Sequence, residues 1–220
     1  MKLSCKVIMV KFHATSSVFK YSWDQVACAF WQRYPNPFSK HVLTEDVVNR
    51  EMRQDGLHTT RLLTKTNPVP KWGERFVPGP RQVCIVEESI VDPEKKIITT
   101  YSRNIGMQKL MSIEEKCVYK VNPDNGMQTL CERSAWITSS VFGLGYAIQK
   151  FGVERFKKNI TKSCKGYDYI LDKLFSVEAQ TAVQDHTLSS KDKIKDTARK
   201  AAEVAAAKAR PILSNPRPIS

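Results

Sequence analysis

A series of strand-like segments that ends in one long amphipathic helix constrains the fold of this chain more than any other feature. Six segments between His41 and Ile137 are rich in Val, Ile, Thr and Tyr, which favour β-strands. Asp55-Gly56 suits a hairpin turn, and Asn122–Gly126 suits a tight turn. Strands joined by such short turns pair antiparallel, and one face of the resulting sheet must be covered.

The N-terminal part predicts a strand and then a helix. The segment "KVIMVKF" is typical of a first strand. Residues Tyr21–Tyr34 have helical periodicity, and Ser22 and Gln25 have the spacing of a capping box. Pro35 and Pro37 should stop this helix.

The long C-terminal helix supplies the cover for the sheet. From about Val141 the apolar residues recur with a period of 3.6, in a stripe over five turns: Phe156, Ile160, Cys164, Tyr167, Leu171 and Leu174. We therefore predict an α+β fold, in which a curved antiparallel sheet of about seven strands holds the helix. Such a sheet and helix can enclose an apolar cavity for a large hydrophobic ligand.

Composition narrows the possible partners. The 220 residues allow one domain of ordinary size with a tail, and the net charge of +13 favours anionic partners such as nucleic acid, acidic lipid or a phosphorylated ligand. No run of 18 apolar residues occurs, so no membrane-spanning helix is predicted. The six cysteines include no CxxC pair, so neither a zinc site nor a disulfide framework is expected. Most of them are predicted to be small buried hydrophobic residues.

The first residues allow two interpretations. Lys2, Lys6 and Lys11 precede the first acidic residue, Asp24, as in mitochondrial presequences, which are poor in acidic residues. An ordinary first strand is the preferred interpretation. No secretory signal is predicted, and the sequence leaves open whether Met1 or Met9 is the working start.

Residues Thr66–Arg81 predict a long loop. They contain four prolines, two glycines, Trp72 and Phe76, and no regular element fits them. Loops of about fifteen residues are uncommon in compact domains and are often functional. The two aromatic side chains could equally belong to the core.

Several motifs closely resemble the PRELI-like family, which includes the slowmo proteins. They are "FWQRYPNPFSKHVLTED", "RLLTKTNPVPKW", "SIVDP", "TYSRNI" and "FGVERFKKNITKSCKGYDYIL". They occur in the family's order between about Met9 and Phe175, and the form "RYPNP…HVLTED" is similar to the PRELI branch.

The resemblance implies a fold, a location and an activity. The family has a helix-grip, START-like fold and carries phospholipid between the outer and inner mitochondrial membranes, in the intermembrane space, while bound to a small twin Cys-x9-Cys partner. The PRELI branch prefers phosphatidic acid, a precursor for cardiolipin synthesis. The resemblance implies no enzyme activity and no cofactor. We expect a lipid-transfer domain at 1–176 and an Ala/Lys-rich tail at 177–220, helical in part before becoming disordered. This tail is similar to the LEA-like tail of some PRELI proteins.

The resemblance also implies the site residues. The family's basic headgroup positions fall on Arg33, His41, Lys65, Arg155 and Lys162. The loop aligns with the family's lid, in which Pro70, Lys71, Trp72 and Phe76 are expected to contact the membrane.

Purely structural interpretations of these residues also stay open. Periodicity alone places Arg155 and Lys162 with Lys158 and Lys165 on a solvated helix face, where Lys158 and Lys165 would attract acidic membranes. Arg33 could simply cap a helix C-terminus, and His41 could be an ordinary residue at the start of a strand.

Four other functions compete with this one. A nucleic-acid-binding protein fits the charge, but no recognition motif appears. An enzyme is a second alternative: neither GxSxG, HExxH nor a phosphate loop occurs, and an acid–base pair stays open although nothing in the sequence points to one. A basic peripheral membrane adaptor that works through the tail, and a phosphatidylserine carrier, remain alternatives.

Overall fold

The described residues of the computed structural model are 10–68, 74, 81–108, 110–141 and 144–176. Their seven strands form an antiparallel sheet in the order β1-β7-β6-β5-β4-β3-β2. The elements are β1 (Val10–Phe19), α1 (Trp23–Phe30), β2 (Val42–Arg53), β3 (Gly56–Thr66), β4 (Gln82–Asp92), β5 (Ile97–Asn104), β6 (Ser112–Asn122), β7 (Asn125–Thr138) and α2 (Gly145–Phe175).

This order confirms the predicted succession of strand, helix, six strands and long helix. Several predicted features lie outside the described residues: the first part of "KVIMVKF", the tail, and the lid residues Pro70, Lys71, Trp72 and Phe76. The elements up to Lys173 belong to one compact unit, and the second unit, Leu174–Ser220, contributes only residues 174–176 to the description. The domain boundary at 176 stays a prediction.

The hairpin between β2 and β3 depends on Gly56. Its φ of 128° lies in the region that favours glycine. A Cβ at this position would also stand 2.2 Å from the carbonyl oxygen of Val91 on β4. The predicted Asp-Gly turn is therefore confirmed, and two separate constraints require glycine.

Helix α1 starts as predicted but ends earlier. The capping box of Ser22 and Gln25 is present, whereas the helix ends at Phe30 instead of Tyr34. Tyr34 precedes Pro35, which disfavours the helical conformation. The chain instead turns through a short 3₁₀ segment at Pro37–Ser39 before β2.

Helix α2 covers the inner face of the sheet. It starts at Gly145 rather than at about Val141. Phe156 and Ile160 pack with Ala135 and Ile137 of β7, and the Tyr167 hydroxyl donates a 2.8 Å hydrogen bond to the Val26 carbonyl of α1. Within the predicted stripe, Phe156, Ile160, Tyr167 and Leu171 are buried, while Cys164 and Leu174 are half-buried.

A close contact ties α2 to the connection between α1 and β2. A Cβ at Gly166 would lie 2.6 Å from Asn36 Oδ1. Asn36 Nδ2 donates to the Arg33 carbonyl at 2.6 Å, and Asn36 Oδ1 accepts from the Phe38 N–H at 3.0 Å. Glycine at 166 therefore lets Asn36 hold the connection in place.

The cysteine prediction was only partly right. Cys117 and Cys131 are buried, Cys84 and Cys164 are half-buried, and Cys28 is exposed. Cys28 lies on the solvent side of α1, because Val26, Ala29 and Phe30 occupy the buried side.

Candidate functional site

A large cavity lies between the sheet and α2. The cavity opens to solvent, and together with the solvent space at its mouth it spans about 1400 Å³. Strands β3 to β7, helix α2 and the connection between α1 and β2 all contribute to its wall. Its apolar lining includes Leu63, Val83, Ile85, Met107, Leu110, Met111, Ile113, Phe156 and Ile160.

Part of the cavity wall carries a basic cluster formed by His41, Lys65 and Arg155, all half-buried. His41 and Lys65 are neighbours because β2 starts beside the end of β3: the Thr66 N–H donates to the His41 carbonyl at 2.8 Å. Among the described residues, no acidic side chain forms an ion pair with Lys65 or Arg155.

The positive charges around His41 act on its imidazole. Burial lowers the pKa of His41, and the positive charges of Lys65, Lys162 and Arg155 lower it further. Lys162 therefore acts on the cluster, although it is exposed and does not line the cavity. The imidazole accepts a proton less readily than a free histidine until an anion offsets these charges.

Arg155 joins the cluster to the end of β3. Its Nη1 donates to Asn67 Oδ1 at 2.7 Å and to the Pro68 carbonyl at 3.2 Å. Burial lowers the pKa of its guanidinium. The solvated face that periodicity indicates therefore holds for Lys158, Lys162 and Lys165, which are exposed, but not for Arg155.

Arg33 lines the same cavity but is already bound. Its Nη2 donates to both carboxylate oxygens of Glu87, at 2.5 Å each, and its guanidinium lies 4.6 Å from the Phe30 ring centroid. Arg33 therefore does not serve as the cap of α1, which ends at Phe30 with Trp31 as its C-cap residue.

Glu87 and Arg33 belong to a larger buried network. Arg61 donates to Glu87 through Nη2 and to Glu45 through Nη1, so two arginines and two glutamates neutralise each other. A separate pair joins Arg133 Nη1 to Glu115 Oε1 at 2.6 Å.

Sequence reasoning missed Arg61, Glu87, Glu115 and Arg133 as cavity residues or their partners. The alternation of the strands contained a signal for them. Arg61 shares a strand face with buried Leu63, and Glu87 shares one with buried Ser89. A charged residue at an inward position requires a partner.

The described residues contain neither a metal site nor a membrane-spanning helix. No group of three or more His, Cys, Asp or Glu side chains there could hold a metal ion. No helix in the described part of the chain has the length and apolar character needed to cross a membrane.

Comparisons with known proteins complete the description. The model of the PRELI-like family matches residues 24–178. The chain is 54% identical over 169 residues to PRELI domain-containing protein 1, mitochondrial, of Gallus gallus, covering 76% of this chain and 79% of that protein. It is 50% identical over 191 residues to the protein of that name from Homo sapiens, covering 86% and 87%.

A solved structure confirms the fold. The Zhui aromatase/cyclase from Streptomyces sp. R1128 matches with a TM-score of 0.55 at 9% identity, covering 77% of this chain and 98% of that one. At this identity the likeness shows the helix-grip, START-like fold alone.

Proposed function

The chain belongs to the PRELI-like family, and from this premise we propose that it is a non-enzymatic carrier of phosphatidic acid. The observation that supports this most is the cavity, in which an apolar lining and the basic cluster of His41, Lys65 and Arg155 occur together. The cargo would move between the outer and inner mitochondrial membranes and supply cardiolipin synthesis.

The location follows from the family. Its relatives are named mitochondrial proteins, and the family resides in the intermembrane space. This chain is accordingly a mitochondrial protein of that compartment.

The lining suits the two parts of a phospholipid. Acyl chains leave water favourably, by about 0.8 kcal/mol for each buried CH₂ group. A phosphate monoester is an anion that gains charge-assisted hydrogen bonds from cationic donors. The half-buried Lys65 and Arg155 supply such donors, and an arriving phosphate would offset the positive field that now acts on His41.

A carrier function also fits the state of the two glutamates that line the cavity. Glu87 and Glu115 are held by arginines, so neither stands as a free acid or base beside a reacting bond. Cargo retention needs only burial and charge.

We further propose two kinds of partner. The first is a small twin Cys-x9-Cys protein, which would form a heterodimer with this chain. Large apolar side chains that stay exposed, including Phe12, Val48 and Met52, are the kind of surface that partners cover. The second is the acidic membrane surface, which the net charge of +13 attracts; nucleic acid is not an expected partner.

Transfer of labelled phospholipids between two liposome populations tests the proposal, with the chain co-expressed with a twin Cys-x9-Cys protein. We expect transfer of phosphatidic acid in preference to phosphatidylserine. Lys65→Gln and Arg155→Gln should each slow it by about tenfold or more, as expected when a partly buried charged donor is lost.

Lys157→Gln is the matched control, because it removes the same charge from an exposed position of α2. If the wild-type protein binds acidic liposomes but moves no lipid, the peripheral adaptor replaces the carrier. If phosphatidylserine moves as fast as phosphatidic acid, the selectivity is refuted.

A further inference from the structure

The residue that holds Arg33 is itself part of the cavity wall. Glu87 lies in the middle of β4, opposite Arg61 of β3 and Ser102 of β5 in the sheet register. Both Glu87 and Arg33 line the cavity and are buried, with side-chain exposures of 8% and 10%. An incoming phosphate that reaches Arg33 therefore meets a carboxylate already bound there.

The positive charge of Arg33 is already neutralised by its ion pair with Glu87. Arg33 and Arg61 carry two positive charges, and Glu87 and Glu45 carry two negative charges at contact distance. Of the basic residues near the cavity, Lys65 and Arg155 differ from Arg33 in this respect, because no described acidic side chain pairs with them.

Arg33 nevertheless has an unused donor. Its Nε is buried and has no hydrogen-bond acceptor among the described residues, and the same is true of Arg61 Nε. A buried donor without an acceptor is unfavourable. Because this atom has almost no contact with solvent, a ligand in the cavity would reach it only if the Arg33 side chain moved.

We propose that Glu87 is a specificity-determining residue of the cavity, an internal anion that competes with the lipid phosphate for Arg33. This inference rests on the proposed carrier function. Because Glu87 occupies Arg33, an anionic headgroup gains from Arg33 only by displacing this carboxylate, and a headgroup with more charge competes better.

The competition separates two classes of anionic lipid. A phosphate monoester carries a charge of about −1.5 to −2 near neutral pH, whereas the phosphodiester of phosphatidylglycerol carries a single negative charge. The monoester gains more from Lys65, Arg155 and Arg33 and so competes better with Glu87 for Arg33. Rejection by an unfavourable element in the site is a general route to specificity.

Binding of two short-chain lipids tests the inference. Dihexanoyl phosphatidic acid and dihexanoyl phosphatidylglycerol would be titrated by calorimetry into the wild-type heterodimer, Glu87→Gln and Glu88→Gln. Glu88 is the matched control, because it follows Glu87 on β4, is exposed, and loses the same charge. In Glu87→Gln the ratio of the affinity for phosphatidic acid to that for phosphatidylglycerol should fall by about tenfold. Most of this change should come from tighter binding of phosphatidylglycerol.

Two outcomes would overturn the inference alone, and a third would refute the proposed carrier function. A folded Glu87→Gln protein with the wild-type preference overturns the inference, as does an equal change in Glu88→Gln, which would indicate a general effect of charge. A wild-type protein that binds neither lipid refutes the carrier function itself, and the inference with it.

A second variant covers the case in which Glu87→Gln does not fold. Glu87→Asp keeps the charge but withdraws the carboxylate by one methylene, which loosens its contact with Arg33. The ratio of the two lipid affinities should fall as it does in Glu87→Gln, but by a smaller factor. An unchanged preference in Glu87→Asp overturns the inference.

Discussion

At the residue scale, Glu87 links the cavity to the stability of the fold. Burial raises the pKa of its carboxyl, but Arg33 and Arg61 outweigh burial and lower the pKa from 4.5 to about 2. The folded state therefore binds a proton less readily than the unfolded state. Stability from this group is present above about pH 4.5 and is lost as the pH falls toward 2.

Urea unfolding of the wild-type protein and Glu87→Gln at several pH values checks this prediction. The shift in pKa corresponds to about 3 kcal/mol, and Glu87→Gln also leaves two buried arginines without that partner. The variant should be less stable by at least this amount near neutral pH, and the difference should shrink below about pH 4.5. A difference that does not change with pH contradicts the prediction, and Glu88→Gln should behave as the wild type does.

At the element scale, the packing of α2 against the connection between α1 and β2 depends on Gly166. Alanine is the better helix former by about 1 kcal/mol, but a Cβ would lie 2.6 Å from Asn36 Oδ1. Asn36 would have to give up its hydrogen bonds to the backbone of Arg33 and Phe38. We expect Gly166→Ala to lower the free energy of unfolding by about 1–3 kcal/mol, as in other overpacked sites.

Gly145→Ala is the comparison in the same helix. A Cβ there meets only the Ser139 carbonyl oxygen, at 3.7 Å, which is an ordinary contact. Chemical denaturation should show that this variant keeps the wild-type stability. Equal stabilities of the two variants would show that Asn36 moves aside freely.

At the scale of the whole molecule, the net charge of +13 and the buried charges respond differently to salt. Exposed Lys158, Lys162 and Lys165 act through water, where the screening length is about 10 Å at 0.1 M salt. Raising salt from about 50 mM to about 500 mM should therefore abolish most binding to acidic liposomes but release little bound lipid. Liposome flotation and lipid retention, measured on the same samples, check this, and equal losses of both would contradict it.

The local features of the fold were predictable because neighbouring residues determine them. Ser22 and Gln25 form their capping box within one turn, and the Asp-Gly turn needs only the conformational freedom of Gly56. The stripe of α2 was predictable because periodicity reports the buried face of a helix. The end of α1 was misplaced, because the helical pattern continues to Tyr34 whereas the helix ends at Phe30.

The site was predictable only in part. The resemblance pointed to Arg33, His41, Lys65 and Arg155, and the structure brings these four around one cavity, although their binding role stays a prediction. Lys162 lies nearby but outside the lining. The motifs could not reveal that Arg33 is bound to Glu87, because the two residues are 54 positions apart and meet only in the folded chain.

The sequence by itself determined the order of elements, the turns, the amphipathic face of α2 and the family. Each of these depends on residues that are close together in the chain or on short motifs. The tertiary structure alone decided which charges are free. Arg61 and Glu87 face each other across β3 and β4, and Arg155 reaches Asn67 across 88 positions of sequence. Such pairings depend on strand register and on the packing of α2 against the sheet. As a result, Lys65 and Arg155 can bind an anion, whereas Arg33 is already paired with Glu87.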